Sequence, residues 1–249
     1  LFMASNRWGD GEGLYNYREK ANTILDHMIR HREILGLSKG SWVGDMIDPD
    51  VKQVVFVPVG EYKRFTDPSY HVPHFYELFA LWADNHNELW REVAERSRSF
   101  FQKATHPETG LAPDYAYFDG IPVKVGDHYR FQNDAWRVAM NISLDSLWWN
   151  RDPWQRKTWV PTYLGFFRKE GIKTHNSLYD IDGANGSGGI SAGLVAMIAT
   201  AALIANKKTG HDFVRELWDT PIPEGHYRYF DGCLYLFGLL NISGRFVIY

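Results

Sequence analysis

The sequence contains a single cysteine, Cys233. Intramolecular disulfides and zinc sites built on several thiolates are therefore both excluded, and Cys233, set among Leu234, Tyr235 and Leu236, reads as a buried, inert thiol. Positive charge is not in surplus: 27 basic residues face 30 acidic ones, for a formal net charge of −3. The basic footprint of a nucleic-acid binder is missing, so no nucleic-acid partner is expected. Long apolar runs are missing too. The charge-free stretch from Ile190 to Ala205 falls short of the roughly 20 residues that a membrane crossing needs. It reads as a helix buried on all sides, and no membrane partner is expected.

Several catalytic signatures are also wanting. The Gly-x-Ser-x-Gly spacing occurs at Gly36 to Gly40 and at Gly189 to Gly193, but neither follows a strand as a nucleophile elbow does, and Ser191 reads as a helix cap. The segment Gly183 to Gly189 has neither the spacing of a dinucleotide fingerprint nor the Gly-Lys-Ser/Thr ending of a phosphate loop. It reads as a flexible loop ending in a Ser191 helix cap. His71 and His74 stand three apart without a third ligand nearby in sequence, and no metal is expected there. The first residues, Leu1 to Gly11, lack an initiator Met and the basic and apolar regions of a signal peptide. They read as the end of a helix followed by a glycine stop, so the chain is expected to be part of a longer one.

What is abundant is aromatic surface: 10 Trp, 14 Tyr and 15 Phe in 249 residues. Part of it must fill the core. So many amphipathic rings also suit a cleft that binds flat or polar ligands by stacking. Helical periodicity dominates the rest. Asn16 and Glu19 form a capping-box pattern ahead of the stripe Ala21, Ile24, Leu25, Met28, Ile29. Asp67-Pro68 supplies a cap and a first-turn proline for a helix holding Phe75, Leu78, Phe79 and Trp82. Asn87 starts another, with Trp90, Val93, Ala94, Ser97 and Phe101 buried. Further helices are expected near 134–149, 152–170, 191–206, 211–218 and 230–242. Gln53 to Val57 reads as a strand. Segments 34–66 and 105–129 are loops long enough to shape a cleft. Charge-free and amphipathic helices alternate, as they do where inner helices are ringed by outer ones. The reading is one all-α domain, for which a ring of helical hairpins is one arrangement.

Among the carboxylates, Asp134 is singled out by the run Phe131-Gln132-Asn133-Asp134-Ala135-Trp136-Arg137-Val138. An apolar helical pattern begins just after it, which places Asp134 in a first turn where the macrodipole favours the ionised form. Arg137, three residues on, adds to that. An ionised carboxylate beside aromatic surface suits a general base acting on water, although the same position also suits an ordinary helix cap. Asp67, next to Pro68, reads as a cap.

The motifs Thr66-Asp67-Pro68-Ser69-Tyr70-His71-Val72-Pro73-His74-Phe75-Tyr76 and Asn133-Asp134-Ala135-Trp136-Arg137-Val138-Ala139-Met140-Asn141 resemble glycoside hydrolase family 8. The segments His106 to Tyr117 and Tyr227 to Phe237 resemble its xylan-active branch, and are most similar to reducing-end xylose-releasing exo-oligoxylanases. The resemblance implies an (α/α)6 barrel, of which residues 1–249 form one incomplete catalytic domain of about eight helices lacking the first third. It implies an inverting hydrolysis of β-1,4-xylosidic bonds in xylo-oligosaccharides or xylan, by an acid and a base on opposite faces of the sugar. No cofactor and no metal are implied.

Residue by residue, Asp134 resembles the general base, Tyr70 the tyrosine that positions the attacking water, Arg137 the arginine that supports the base, and Tyr229 a sugar contact. The family's general-acid Glu and an additional sugar-site Asp lie in motifs that this sequence does not contain, so the 249 residues alone are expected to be inactive. The Leu-His-Pro loop that blocks the cleft of exo-acting relatives is replaced by Ala-Asn-Gly-Ser-Gly-Gly-Ile-Ser-Ala-Gly after Gly183. Endo cleavage is therefore the alternative, with a non-catalytic xylan-binding protein the alternative if the chain is complete. Resemblance to oligosaccharide-processing enzymes favours the cytoplasm, whereas action on polymeric xylan would require export.

Overall fold

The computed structural model describes all 249 residues. It consists of the helices α1 (Phe2–Trp8), α2 (Tyr17–Ile34), α3 (Pro73–Trp82), α4 (Asn87–Ala104), α5 (Arg137–Trp148), α6 (Val160–Glu170), α7 (Ala192–Ala202), α8 (Lys207–Asp219) and α9 (Arg228–Ile242). α7 is buried from Gly193 to Ala202, which explains why its sequence carries no charge. It packs on α5, α8 and α9, while α3 packs on α4 and α5. The apolar helices α3, α5, α7 and α9 thus stand side by side, with α4, α6 and α8 behind them. This alternation of inner and outer helices is that of an (α/α)6 barrel, and the nine helices form an arc of it. One large core surrounds α7, and a smaller one joins α1 to α4 around Tyr76 and Trp90, whose rings stack at 5.8 Å.

A buried ion cluster ties three helices together. Arg98 of α4 reaches Asp145 of α5 through Nε (2.8 Å) and Nη2 (2.6 Å), and Glu77 of α3 through Nη1 (2.8 Å). Gln155 adds a further donor to Asp145 at 2.7 Å. The bidentate geometry supplies the partners that these desolvated charges require.

Several local signals act as expected. Asn16 accepts from the Glu19 N–H and donates to its carboxylate, closing the capping box that starts α2. Ser191 caps α7 by accepting from the Gly193 and Leu194 N–H groups. Others need correction. The cap at Asp67 holds only a single 3-10 turn, Pro68–Tyr70. Pro73 lacks the N–H that would continue a helix and disfavours helical backbone at Val72, so α3 starts afresh at Pro73. Asn87 does start α4, as expected, but its side chain donates to the Ala80 and Ala83 carbonyls at the end of α3, and the residue before it, His86, makes no side-chain cap hydrogen bond. Gln53 to Val57 forms no strand. An Asx turn at Asp48 and the left-handed backbone of Lys52 (φ 58°) fold the segment back, so that Val54 makes one isolated bridge, to Ile47. Cys233 is exposed rather than buried, because it lies on the face of α9 that also leaves Leu236 and Phe237 in solvent.

Candidate active site

The inner helices begin at one end of the arc, and the candidate residues gather there. The 3-10 turn Pro68–Tyr70 ahead of α3 touches the 3-10 turn Asn133–Trp136 that runs into α5. The Trp136 ring packs on Phe230 at the start of α9, 5.8 Å between centroids. Ser191, at the start of α7, donates to Asp231 of α9 at 2.9 Å. Helix N-termini concentrate unpaired N–H groups and positive potential at this end.

Asp134 sits on the 3-10 turn just before α5, with its side chain 35% exposed. Water can reach it, yet it is fixed: Arg137 Nη2 lies 2.9 Å from its Oδ1. The same nitrogen donates to Ser69 Oγ (2.8 Å) and lies 3.7 Å from Asp67 Oδ2. Arg137 therefore bridges the two turns. Asn141, one helical turn further along α5, donates to the Ser69 carbonyl at 2.8 Å and locks the same junction.

Asp67 is completely buried. Its Oδ1 accepts from the Ser69 N–H at 2.7 Å, while Oδ2 has no hydrogen-bond partner. Burial pushes its pKa up to about 7, against the opposing pull of the Ser69 hydrogen bonds and Arg137. Tyr70 is half-buried beside this group. Its hydroxyl is pushed above the usual phenol range, first by desolvation and then by the negative charges of Asp67 and Asp134, so it stays protonated and able to donate. The Arg137 guanidinium lies 5.8 Å from the Tyr70 ring centroid.

The two long loops complete the rim. The backbones of Thr66 and Ala116 exchange hydrogen bonds of 2.9 and 3.0 Å, which brings segment 105–129 against the Asp67 turn. Tyr115 then stacks on His128 (4.2 Å) and packs at a tilt against Phe56 (4.4 Å), and Phe56 stacks on Tyr70 (6.0 Å). The result is a half-buried aromatic shelf beside Asp134. Burial and the nearby carboxylates push the Tyr115 hydroxyl up to about 12. Beneath the shelf, the buried Asp114 accepts from the Ala135 N–H (3.1 Å) and from His128 Nδ1. It thereby holds the turn that presents Asp134. Burial raises its pKa, and the hydrogen bond from His128 opposes that shift.

The structure brings Asp134, Arg137 and Tyr70 together. Tyr229 is at the start of α9, 82% exposed, next to the Phe230 that packs on Trp136. His71 offers no lone pair to a metal. Ser97 donates its hydroxyl to the Val93 carbonyl, so its oxygen accepts from His71 Nδ1–H, and Nε2 faces the Thr66 hydroxyl. Sequence reasoning gave no role to Asp114, Tyr115, Ser69 or Asn141, although all four lie within the motifs quoted for the resemblance. His128 lies in a loop without periodicity and left no signal.

The glycine-rich segment is not the free loop expected. Ser187 exchanges hydrogen bonds with Leu178, and Arg130 ties the loop down through Asp180 (2.7 Å) and the Asn185 carbonyl (2.8 Å). Its glycines are needed for close approach: a Cβ on Gly186 would stand 2.8 Å from the Tyr179 ring, and one on Gly188 (φ 89°) 2.5 Å from Ser177 Oγ.

The sequence model of the family described as glycosyl hydrolases family 8 matches residues 1–244. The chain is 40% identical over its whole length to the reducing-end xylose-releasing exo-oligoxylanase Rex8A of Paenibacillus barcinonensis, covering 64% of that protein. It is 26% identical to Endoglucanase C of Ruminiclostridium cellulolyticum, covering 99% of this chain and 49% of that one. In three dimensions it superposes on a xylobiose complex of a family 8 protein from Teredinibacter turnerae with a TM-score of 0.91 at 39% identity, over 99% of this chain and 64% of the other. The chain therefore spans just under two thirds of the length of the exo-oligoxylanases it matches, and it belongs to glycosyl hydrolase family 8.

Proposed function

We propose that the chain is part of an inverting glycoside hydrolase that cleaves β-1,4-xylosidic bonds of xylo-oligosaccharides and releases xylose from the reducing end. The observation that carries this reading is the Asp134 carboxylate: reachable by water, held by Arg137 at 2.9 Å, and bordered by the Tyr70 hydroxyl and an aromatic shelf. A sugar ring lying on that shelf exposes its anomeric carbon to a water beside Asp134. Asp134 takes the proton of that water as its oxygen bonds to the anomeric carbon. The glycosidic C–O bond breaks with protonation of the leaving oxygen by an acid on the opposite face, and the configuration inverts. Tyr70 donates to the attacking water or the ring, and Arg137 pairs with Asp134 and orients it. Tyr229, projecting from α9, contacts a sugar further along the cleft.

The acid is a glutamate outside these 249 residues, so the isolated polypeptide binds xylo-oligosaccharides without turning them over. One observation favours a second reading. The segment from Gly183 to Ser191, held by Arg130 at the Asn185 carbonyl, carries no bulky blocking motif, which leaves room for endo cleavage. Xylohexaose labelled at its reducing end, digested briefly by the chain joined to the missing third of the barrel, separates the two. Labelled xylose alone supports exo action, labelled xylobiose and xylotriose support endo action, and no labelled product contradicts both.

A further inference from the structure

α2 is kinked at Arg30, whose backbone (φ −135°, ψ 27°) is not helical. Neither proline nor glycine lies nearby, so the cause has to be an insertion into the hydrogen-bond ladder. The Arg32 N–H donates to Asp45 Oδ1 at 2.9 Å, and the Met28 carbonyl accepts from the Ile47 N–H at 3.0 Å. A regular helix would pair those two groups with each other. Segment 44–47 has wedged between them, and the Arg32 side chain reinforces the wedge through Asp45 at 2.9 Å.

The kink falls between His27 and His31, on one face of the helix. Their Nδ1 atoms stand 3.2 Å apart, both half-buried, at the mouth of a pocket of about 400 Å³ walled by Ile24, Met28, Met46 and Pro58. Two nitrogens bound to a tetrahedral ion at roughly 2.0–2.1 Å are about 3.3 Å apart. The chain has ten histidines, and this is the pair whose ring nitrogens converge.

We propose that His27 and His31 form a bidentate site for a late first-row transition-metal ion, with water filling the other positions. Imidazole nitrogens suit Cu(II), Ni(II) and Zn(II), with Cu(II) bound most tightly. The wedge at Asp45 and Ile47 fixes the approach of the two rings, and the ion clamps the two halves of α2 across the kink. Both rings must be neutral to bind, and the Nδ1–H that joins the two rings by a hydrogen bond in the metal-free chain must move to Nε2 so that both Nδ1 lone pairs face the ion.

The test is titration of the chain with CuCl2 and with ZnCl2, followed by calorimetry, and electron paramagnetic resonance of the copper form. The expected result is one saturable site with two imidazole nitrogens on Cu(II), weakened roughly tenfold or more in His27→Gln or His31→Gln and lost in the double variant. His27 and His31 are half-exposed, and circular dichroism confirms that the variants fold. An unchanged site in the double variant, a wild-type signal with a single nitrogen, or no saturable binding would overturn the proposal.

Discussion

Arg137 Nη2 lies 2.9 Å from the Asp134 carboxylate and also 3.7 Å from the buried Asp67, so one guanidinium serves two carboxylates of different solvation. The exposed one is paired at 2.9 Å. The buried one has an oxygen without a hydrogen-bond partner and holds its proton up to about pH 7. The asymmetry follows from burial, and it leaves Asp134 as the carboxylate of the pair that water can reach.

The raised pKa of Asp67 has a consequence for stability. Folded Asp67 titrates near 7 and the unfolded group near 3.8, so the native state holds the extra proton between those values. This contribution to stability falls as pH rises through the window, by up to about 1.4 kcal/mol per pH unit. Asp67→Asn keeps the acceptor for the Ser69 N–H and removes the titration. Urea unfolding at pH 4, 6 and 8 is expected to show the variant gaining on the wild type as pH rises. A constant difference across that range would contradict a protonated Asp67.

His71 and His74 act in the opposite direction. Burial lowers both to about 3, whereas unfolded histidine titrates near 6.5. Below pH 6.5 the unfolded state takes up protons that the native state refuses, so stability falls as pH drops from 6.5 towards 3. His71→Gln is expected to flatten the acid side of the stability profile, with a lower stability at pH 7 from the loss of the Thr66 and Ser97 contacts. An acid slope identical to that of the wild type would rule out a neutral, buried His71.

Removing Arg98 leaves Asp145 and Glu77 buried with fewer partners. Arg98→Met is expected to cost about 3–5 kcal/mol, the range for breaking a buried pair by deleting one partner. Denaturant unfolding measures it. A loss below about 1 kcal/mol would mean that Gln155 and Arg151, which also reach these carboxylates, are sufficient alone.

Much of the architecture was legible because helical periodicity and caps are local signals: the Asn16–Glu19 box, the charge-free α7 and the stripe of α4 all stand where the pattern put them. Errors arose where distant segments decide. Val54 looked like a strand residue, yet it pairs only with Ile47 because the chain turns back at Asp48. Cys233 looked buried from its apolar neighbours, but α9 turns that face to solvent. Asp134 and Tyr70 were legible through motifs. Asp114 and His128, which hold the Asp134 turn from a loop 20 residues away or nearer, act through contacts that no periodicity encodes.

The central claim is that Asp134 is the base of a xylo-oligosaccharide hydrolase. The measurement that tests it most directly is kcat and KM on xylohexaose for wild type and Asp134→Ala, each joined to the barrel segment that the relatives carry in addition. For Asp134→Ala, kcat is expected to fall by about 10²–10⁴-fold or more with KM little changed, because water loses its proton acceptor while the shelf of Phe56, Tyr70 and Tyr115 still binds sugar. Wild-type turnover in the variant would contradict it.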